Sequence, residues 1–111
     1  MITPTLSQEL SRLEADFCSA LSDPTRLLIL YILAERPHNV SELSRELKII
    51  QPSTSRHLKV LRERGLVRPV RSGSTITYHL ADPRLIQALD LLRAVMRDRL
   101  AQQVILMKEA I

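Results

Sequence analysis

Cysteine is almost missing from this 111-residue chain: Cys18 stands alone. That excludes an internal disulfide framework and a chelating thiol pair within one chain. Tryptophan is absent and aromatics make up 3% of residues, namely Phe17, Tyr31 and Tyr78, too few for the stacking platforms that bind single-stranded nucleic acid. There are two glycines, Gly65 and Gly73, so no glycine-rich loop can cradle a phosphate. No nucleophile elbow and no cluster of metal ligands is visible. Cys18 has no neighbouring histidine in sequence to activate it. The chain is therefore not expected to be an enzyme, and no cofactor or bound metal is expected. The longest apolar run, Leu27 to Ala34, is far too short to span a bilayer and is misplaced for a signal peptide. A cytoplasmic location with no membrane partner is the expectation.

What is present is positive charge, unevenly placed. The formal net charge is +4, but residues 1–35 sum to −3, residues 36–71 to +6 and residues 72–111 to +1. Within the middle third, Arg56, Lys59, Arg62, Arg64, Arg68 and Arg71 stand against one acid, Glu63. Such a concentration is the footprint of a surface that meets phosphates, or else a solvated basic face. Hydrophobic residues make up 45% of the chain, enough for one compact domain over residues 1–111.

The apolar spacing predicts ααααββα order. Leu6, Leu10, Leu13, Phe17 and Leu21 fall at three- and four-residue steps, the mark of a first helix from about Thr5 to Leu21. Asp23-Pro24 reads as an N-cap followed by proline at the first helical position. It opens a second helix to about Ala34 whose run LLILYIL is apolar on every side, the pattern of a fully enclosed central helix. Asn39 and Glu42 form a capping-box pattern before a third helix, Val40 to Leu47. Pro52 starts a fourth, to about Arg64, and Gly65 sits where a left-handed residue is wanted. The period then changes. Leu66–Arg71 and Thr75–Leu80 read as strands around Ser72-Gly73-Ser74. Asp82-Pro83 opens a last helix to about Lys108, striped by Leu85, Leu89, Leu92, Met96 and Leu100, longer than a small core needs.

Helices three and four lie only a few residues apart, as in a helix-turn-helix spanning 40–64, whose second helix enters a major groove. At 100° per residue, Thr54, Leu58 and Leu61 gather on the core side of helix four. Arg56, Lys59 and Glu63 point the other way, flanked by Ser53, Ser55 and Arg62. Arg56 suits bidentate readout of guanine, and Gln51 suits adenine or phosphate. Ser53 and Ser55 suit phosphate or base edges. The hairpin over 66–80, with Arg68 and Arg71 beside its tip, reads as a wing over the DNA backbone or minor groove, or as a plain solvated hairpin. His57, on the edge of the apolar stripe, is open to packing or to DNA contact. His38 and His79 read as structural or merely exposed.

At these residues the chain resembles the ArsR-type family of bacterial winged-helix repressors. The stretches that carry the likeness are ALSDPTRLLIL (20–30), SELSREL (41–47), QPSTSRHLKVLRERGLV (51–67) and RSGSTITYHL (71–80). The resemblance implies a mainly α fold with a β-hairpin wing, a winged helix-turn-helix dimeric through its first and last helices (1–21 and 82–108). It implies a homodimer that binds a palindromic operator in double-stranded DNA and is released by an effector. By that likeness Gln51, Ser53, Thr54, Ser55, Arg56, His57 and Lys59 map onto the recognition helix, and Arg68, Arg71, Ser72 and Ser74 onto the wing. Three departures stand out. The stretch Asn39-Val40-Ser41-Glu42-Leu43 lacks the Cys-x-Cys of many metal-sensing members, and the last helix has no histidine to join Asp90 or Asp98. Ile50 replaces the capping Ser or Thr often found before Gln-Pro. Cys18 is then the candidate sensor, set against a reading as a small buried hydrophobe near the dimer seam. A protein-interaction module with the same fold and no specific DNA binding is the alternative function.

Overall fold

The computed structural model describes residues 1–110. Five α-helices are formed, α1 (Pro4–Leu13), α2 (Pro24–Glu35), α3 (Val40–Leu47), α4 (Gln51–Glu63) and α5 (Arg84–Glu109). They are joined by a small antiparallel sheet of β1 (His38–Asn39), β2 (Val67–Ser72) and β3 (Thr75–Leu80), in the order β1-β3-β2. The core is built from Ala20, Ile29, Leu30, Leu33, Leu43, Leu58, Leu61, Leu66 and Val67. It thus takes residues from α2, α3, α4 and the foot of the hairpin. The arrangement is a winged helix-turn-helix, mostly helical with a β wing.

The caps form as the sequence dictates. Asp23 accepts hydrogen bonds from the Thr25 and Arg26 amides at the start of α2. Asn39 and Glu42 close a reciprocal capping box on α3. Ile50, just before α4, supplies no side-chain cap, and the helix ends in a Schellman motif. There Gly65, at φ +76°, donates to the Arg62 carbonyl at 3.0 Å, and Leu66 donates to Leu61 at 2.9 Å. Gly73 takes the first position of the two-residue hairpin loop at φ +62°, between the paired Ser72 and Thr75. Both positions demand a positive φ that glycine adopts without steric cost.

Three features depart from the sequence expectation. First, the helix expected over Thr5–Leu21 is broken. A π-helical turn occupies Glu14–Cys18 and a 3₁₀ turn Ala20–Ser22. The Ser19 and Ser22 hydroxyls take backbone carbonyls of Ala15 and Ser19 at 2.7 Å, and Pro24 forces extended backbone on Asp23. The π turn inserts about one residue and rotates the apolar stripe by roughly 100°. Phe17 and Leu21 therefore pack on the core while Leu6, Leu10 and Leu13 stay exposed. Second, α2 is not fully enclosed. Ile29, Leu30 and Leu33 are buried, but Leu28 is 55% exposed and opens with Leu27, Tyr31 and Leu89 onto a groove against α5. Third, a short strand at His38–Asn39 extends the wing sheet by pairing with Tyr78 and Thr77. Two residues are too few for any period to show.

Helix α5 contacts the body through Leu85, Ile86 and Leu89, then runs on with Leu91, Leu92, Val95, Met96, Leu100 and Val104 uncovered. No residue of α1 is buried. The Cα radius of gyration is 17.6 Å, against roughly 13 Å for a compact chain of this length, because these two helices project. No helix among the described residues is long and apolar enough to cross a membrane.

Candidate nucleic-acid interface

Helix α4 is held by its apolar side. Thr54, Leu58 and Leu61 are each 1% exposed or less, and the opposite side carries Arg56, Lys59 and Arg62 into solvent. Polar anchors brace the two helices of the helix-turn-helix. The buried Ser44 hydroxyl donates to Thr54 Oγ1 at 2.8 Å, and Gln51 Nε2 donates to Ser41 Oγ at 3.1 Å. Between the two helices Lys48 adopts a left-handed conformation at φ 58°, which gives the chain its sharp turn.

Of the residues singled out on helix α4, the structure leaves six at the solvent side and buries one. Gln51, Ser55, Arg56, Lys59 and Arg62 are exposed, and Ser53 is half-buried. The Arg56 guanidinium donates from Nη2 to Ser53 Oγ at 3.2 Å, which positions the cation over the first turn of the helix. Thr54, grouped by resemblance with the contact residues, is fully buried with its oxygen engaged by Ser44. It cannot touch a ligand in solvent. His57 is half-buried on the side of α4 toward the Asp23 carboxyl at the start of α2. Burial pushes that carboxyl up, and donation from the Arg26 and Thr25 amides outweighs it, so Asp23 sits below the ordinary aspartate range.

In the wing, Arg68 pairs across the strands with His79 and Arg71 with Ile76. Side chains alternate along a strand, so these two arginines occupy opposite faces of β2 rather than one surface. Arg71 shares its face with Ile76, which borders a cleft against Asn39, Val40 and Ser41 at the start of α3. Ser72 and Ser74 flank Gly73 at the exposed tip. Arg64, counted among the basic residues in the sequence, is drawn back toward Asp16 at 3.7 Å.

His38 takes the structural of its two readings. It is 1% exposed, its Nδ1 is 2.7 Å from the Arg36 carbonyl, and Glu46 of α3 lies 2.8 Å from Nε2, out of line for a formed hydrogen bond. Cys18 is exposed, which removes the reading as a buried hydrophobe within its own chain. It lines a shallow cleft with Ser11, Glu14, Ala15 and Ser19. Asp90 accepts from the Tyr31 hydroxyl at 2.6 Å and from Arg93 at 3.3 Å. Sequence reasoning missed Ser41, because nothing in the spacing shows that a residue of α3 meets the side chain of Gln51.

Known proteins carry the same architecture. The model of the bacterial regulatory protein arsR family matches residues 23–68, from the Asp23 cap through α4 to the first wing arginine. An uncharacterised HTH-type transcriptional regulator of Mycobacterium tuberculosis is 33% identical over 104 residues, covering 93% of this chain and 91% of that protein. Its crystal structure superposes with a TM-score of 0.77 over 86% of this chain and 96% of that one. The transcriptional repressor BigR of Xylella fastidiosa, 31% identical, superposes with a TM-score of 0.70 over 85% of this chain and 96% of that one. A homodimeric winged helix-turn-helix DNA-binding domain from Mycobacterium bovis, 24% identical, shares the fold with a TM-score of 0.76 over 89% of this chain and 91% of that one. A family match centred on the helix-turn-helix, and a relative aligned along nearly the whole chain, lead to one conclusion: the chain belongs to the arsR family of bacterial regulatory proteins.

Proposed function

We propose that this protein is a sequence-specific transcriptional repressor that binds a palindromic operator in double-stranded DNA as a homodimer and is released by an effector. One observation carries the reading. Helix α4 presents Arg56, Lys59 and Arg62 to solvent while its other side is locked into the core. A helix so mounted enters a major groove with its cations toward phosphates and base edges. The names of relatives support it, since they include transcriptional regulators and repressors.

In this proposal residues 40–64 read the groove, 66–80 form the wing, and 1–21 and 82–108 join two copies. The dimer is supported by α1, which buries none of its own residues, and by the uncovered apolar flank of α5. Contiguous exposed apolar surface on this scale marks an interaction site. Cys18, exposed on the turn after α1, is the candidate sensor.

Fluorescence anisotropy on duplex DNA from upstream of the protein's own gene tests the reading. Specific binding at least about 1,000-fold tighter than to scrambled duplex, falling steeply with salt, is expected. Adding metals, oxidants and small metabolites in turn identifies the effector as the one that releases the duplex. Equal affinity for both duplexes contradicts the repressor. A stoichiometric protein partner without duplex binding supports the interaction-module reading instead.

A further inference from the structure

We infer that Ser41 is a specificity-determining positioning residue, acting through Gln51; the inference rests on the DNA-binding reading above. Gln51 is the first residue of α4, and Ile50 before it supplies no side-chain cap. A glutamine there would ordinarily sweep through many rotamers, and its freedom would be lost only on binding. Here its Nε2 donates to Ser41 Oγ at 3.1 Å. The carboxamide has two N–H donors and one carbonyl acceptor. Ser41 engages one donor and leaves the carbonyl and the second N–H available. That pair of groups is what bidentate recognition of adenine uses, the carbonyl accepting from N6 and the N–H donating to N7.

The placement of Ser41 makes it suited to this task. It is exposed near the start of α3, on a helix whose entry is fixed by the Asn39–Glu42 capping box. It lies between two clefts. One, of about 540 Å³, separates α3 from the start of α4 and is bordered by Arg45, Ile50 and Gln51. The other, of about 340 Å³, separates α3 from the wing tip and is bordered by Ser74, Thr75 and Ile76. Ser41 therefore stands between the start of the recognition helix and the wing, on α3 directly after the strand β1 that pairs with β3.

The test begins with selection of a preferred duplex by the wild-type protein from a randomised pool. Affinities of wild type, Ser41→Ala, Ser41→Thr, Gln51→Ala and the double variant Ser41→Ala/Gln51→Ala are then measured by anisotropy. The probes are the selected duplex and its single base-pair variants. Gln51→Ala is expected to flatten discrimination at one position per half-site. Ser41→Ala should reduce discrimination at that same position about fivefold, the worth of one hydrogen bond. Ser41→Thr should restore it, and Ser41→Ala should add nothing to Gln51→Ala. Unchanged discrimination in Ser41→Ala overturns the inference. So does an equal loss on every duplex that persists in the Gln51→Ala background, which identifies a plain phosphate contact. Thermal unfolding of each variant separates these results from loss of fold. A wild-type protein that selects no sequence overturns the DNA-binding reading itself.

Discussion

Ser44 and Thr54, ten residues apart, share a buried hydrogen bond of 2.8 Å that ties α3 to α4. Neither hydroxyl has solvent to fall back on, since Ser44 is 7% exposed and Thr54 0%. Thr54 is therefore part of the brace that aims the recognition helix. Thr54→Val keeps the volume but strands the Ser44 hydroxyl, and is expected to cost about 1–3 kcal/mol of stability. Chemical denaturation measures the loss. Duplex affinity should fall alike on every sequence as the helix loses its brace, because a residue inside the core makes no direct base contact; a loss confined to a single base pair would contradict the assignment.

Arg26 performs a comparable service at the break after the first helix. Its Nε donates to the Ala20 carbonyl at 2.6 Å and its Nη2 to the Ser19 carbonyl at 3.3 Å, while the side chain is 16% exposed. One planar fork thus holds the two carbonyls at the start of the 3₁₀ turn and ties that turn to α2. Arg26→Met should destabilise the protein by about 1.5–3 kcal/mol, the range for hydrogen bonds to charged groups. Lysine should recover only part of this, because a single ammonium cannot reproduce the fork. Equal urea midpoints for Met, Lys and wild type would show that the fork contributes nothing.

Acid should destabilise the fold through capping carboxylates. Donation from the Arg84 side chain and then from its backbone amide lowers Asp82 from 3.8 to about 2. Asp23 and Glu42 are also lowered. The unfolded chain then binds more protons than the folded one, so stability is lost as pH falls. For Asp82 the loss runs from about pH 4 down to about pH 2. Urea midpoints measured across that window should fall, and Asp82→Asn should flatten the part of the curve that Asp82 supplies. A midpoint that rises on acidification would contradict the assignment.

The exposed faces of α1 and α5 make a prediction about association. Leu10 is 53% exposed in the middle of the α1 stripe, so an acidic side chain there meets water in a lone chain and apolar surface in a dimer. Leu10→Asp should leave the unfolding of the isolated chain within about 0.5 kcal/mol and weaken self-association at least tenfold. Analytical ultracentrifugation over a concentration series reads this directly. A variant as dimeric as wild type would remove α1 from the interface.

Much of this was legible because it is local. Asp-Pro at 23–24, the Asn39–Glu42 box, and glycines at 65 and 73 each encode a terminus or turn within four residues, and all appear where expected. The core side of α4 was legible too, since a 100° step is enough to gather Thr54, Leu58 and Leu61. What escaped depends on competition or distance. The π turn at Glu14–Cys18 is one inserted residue that leaves the periodicity almost intact while turning Leu6, Leu10 and Leu13 away from the core. The burial of His38 depends on β3 forty residues later, and the Gln51–Ser41 contact on how α3 meets α4. The apolar surface of α2 was read as enclosed on every side, yet Leu28 is left uncovered; that of α5 was read as longer than the core needs, and its outer part is indeed exposed.

The opposite facing of Arg68 and Arg71 makes the wing's contribution unequal. Arg71 adjoins the exposed tip Ser72-Gly73-Ser74 and shares a face with Ile76, whereas Arg68 sits at the foot of the hairpin beside buried Val67 and shares its face with His79. Each cation that neutralises one phosphate adds about 0.9 to the slope of log affinity against log salt. Arg71→Ala should therefore reduce the slope by about one unit per chain and weaken all duplexes alike, while Arg68→Ala should leave the slope nearly unchanged. Arg56→Ala should differ from both by erasing discrimination worth about 1–3 kcal/mol at one base pair. Anisotropy titrations at four or five salt concentrations, on the selected duplex and its single-pair variants, resolve the three cases. Equal slopes for the two wing variants would mean that the hairpin lies edge-on to the backbone and that both faces meet phosphate.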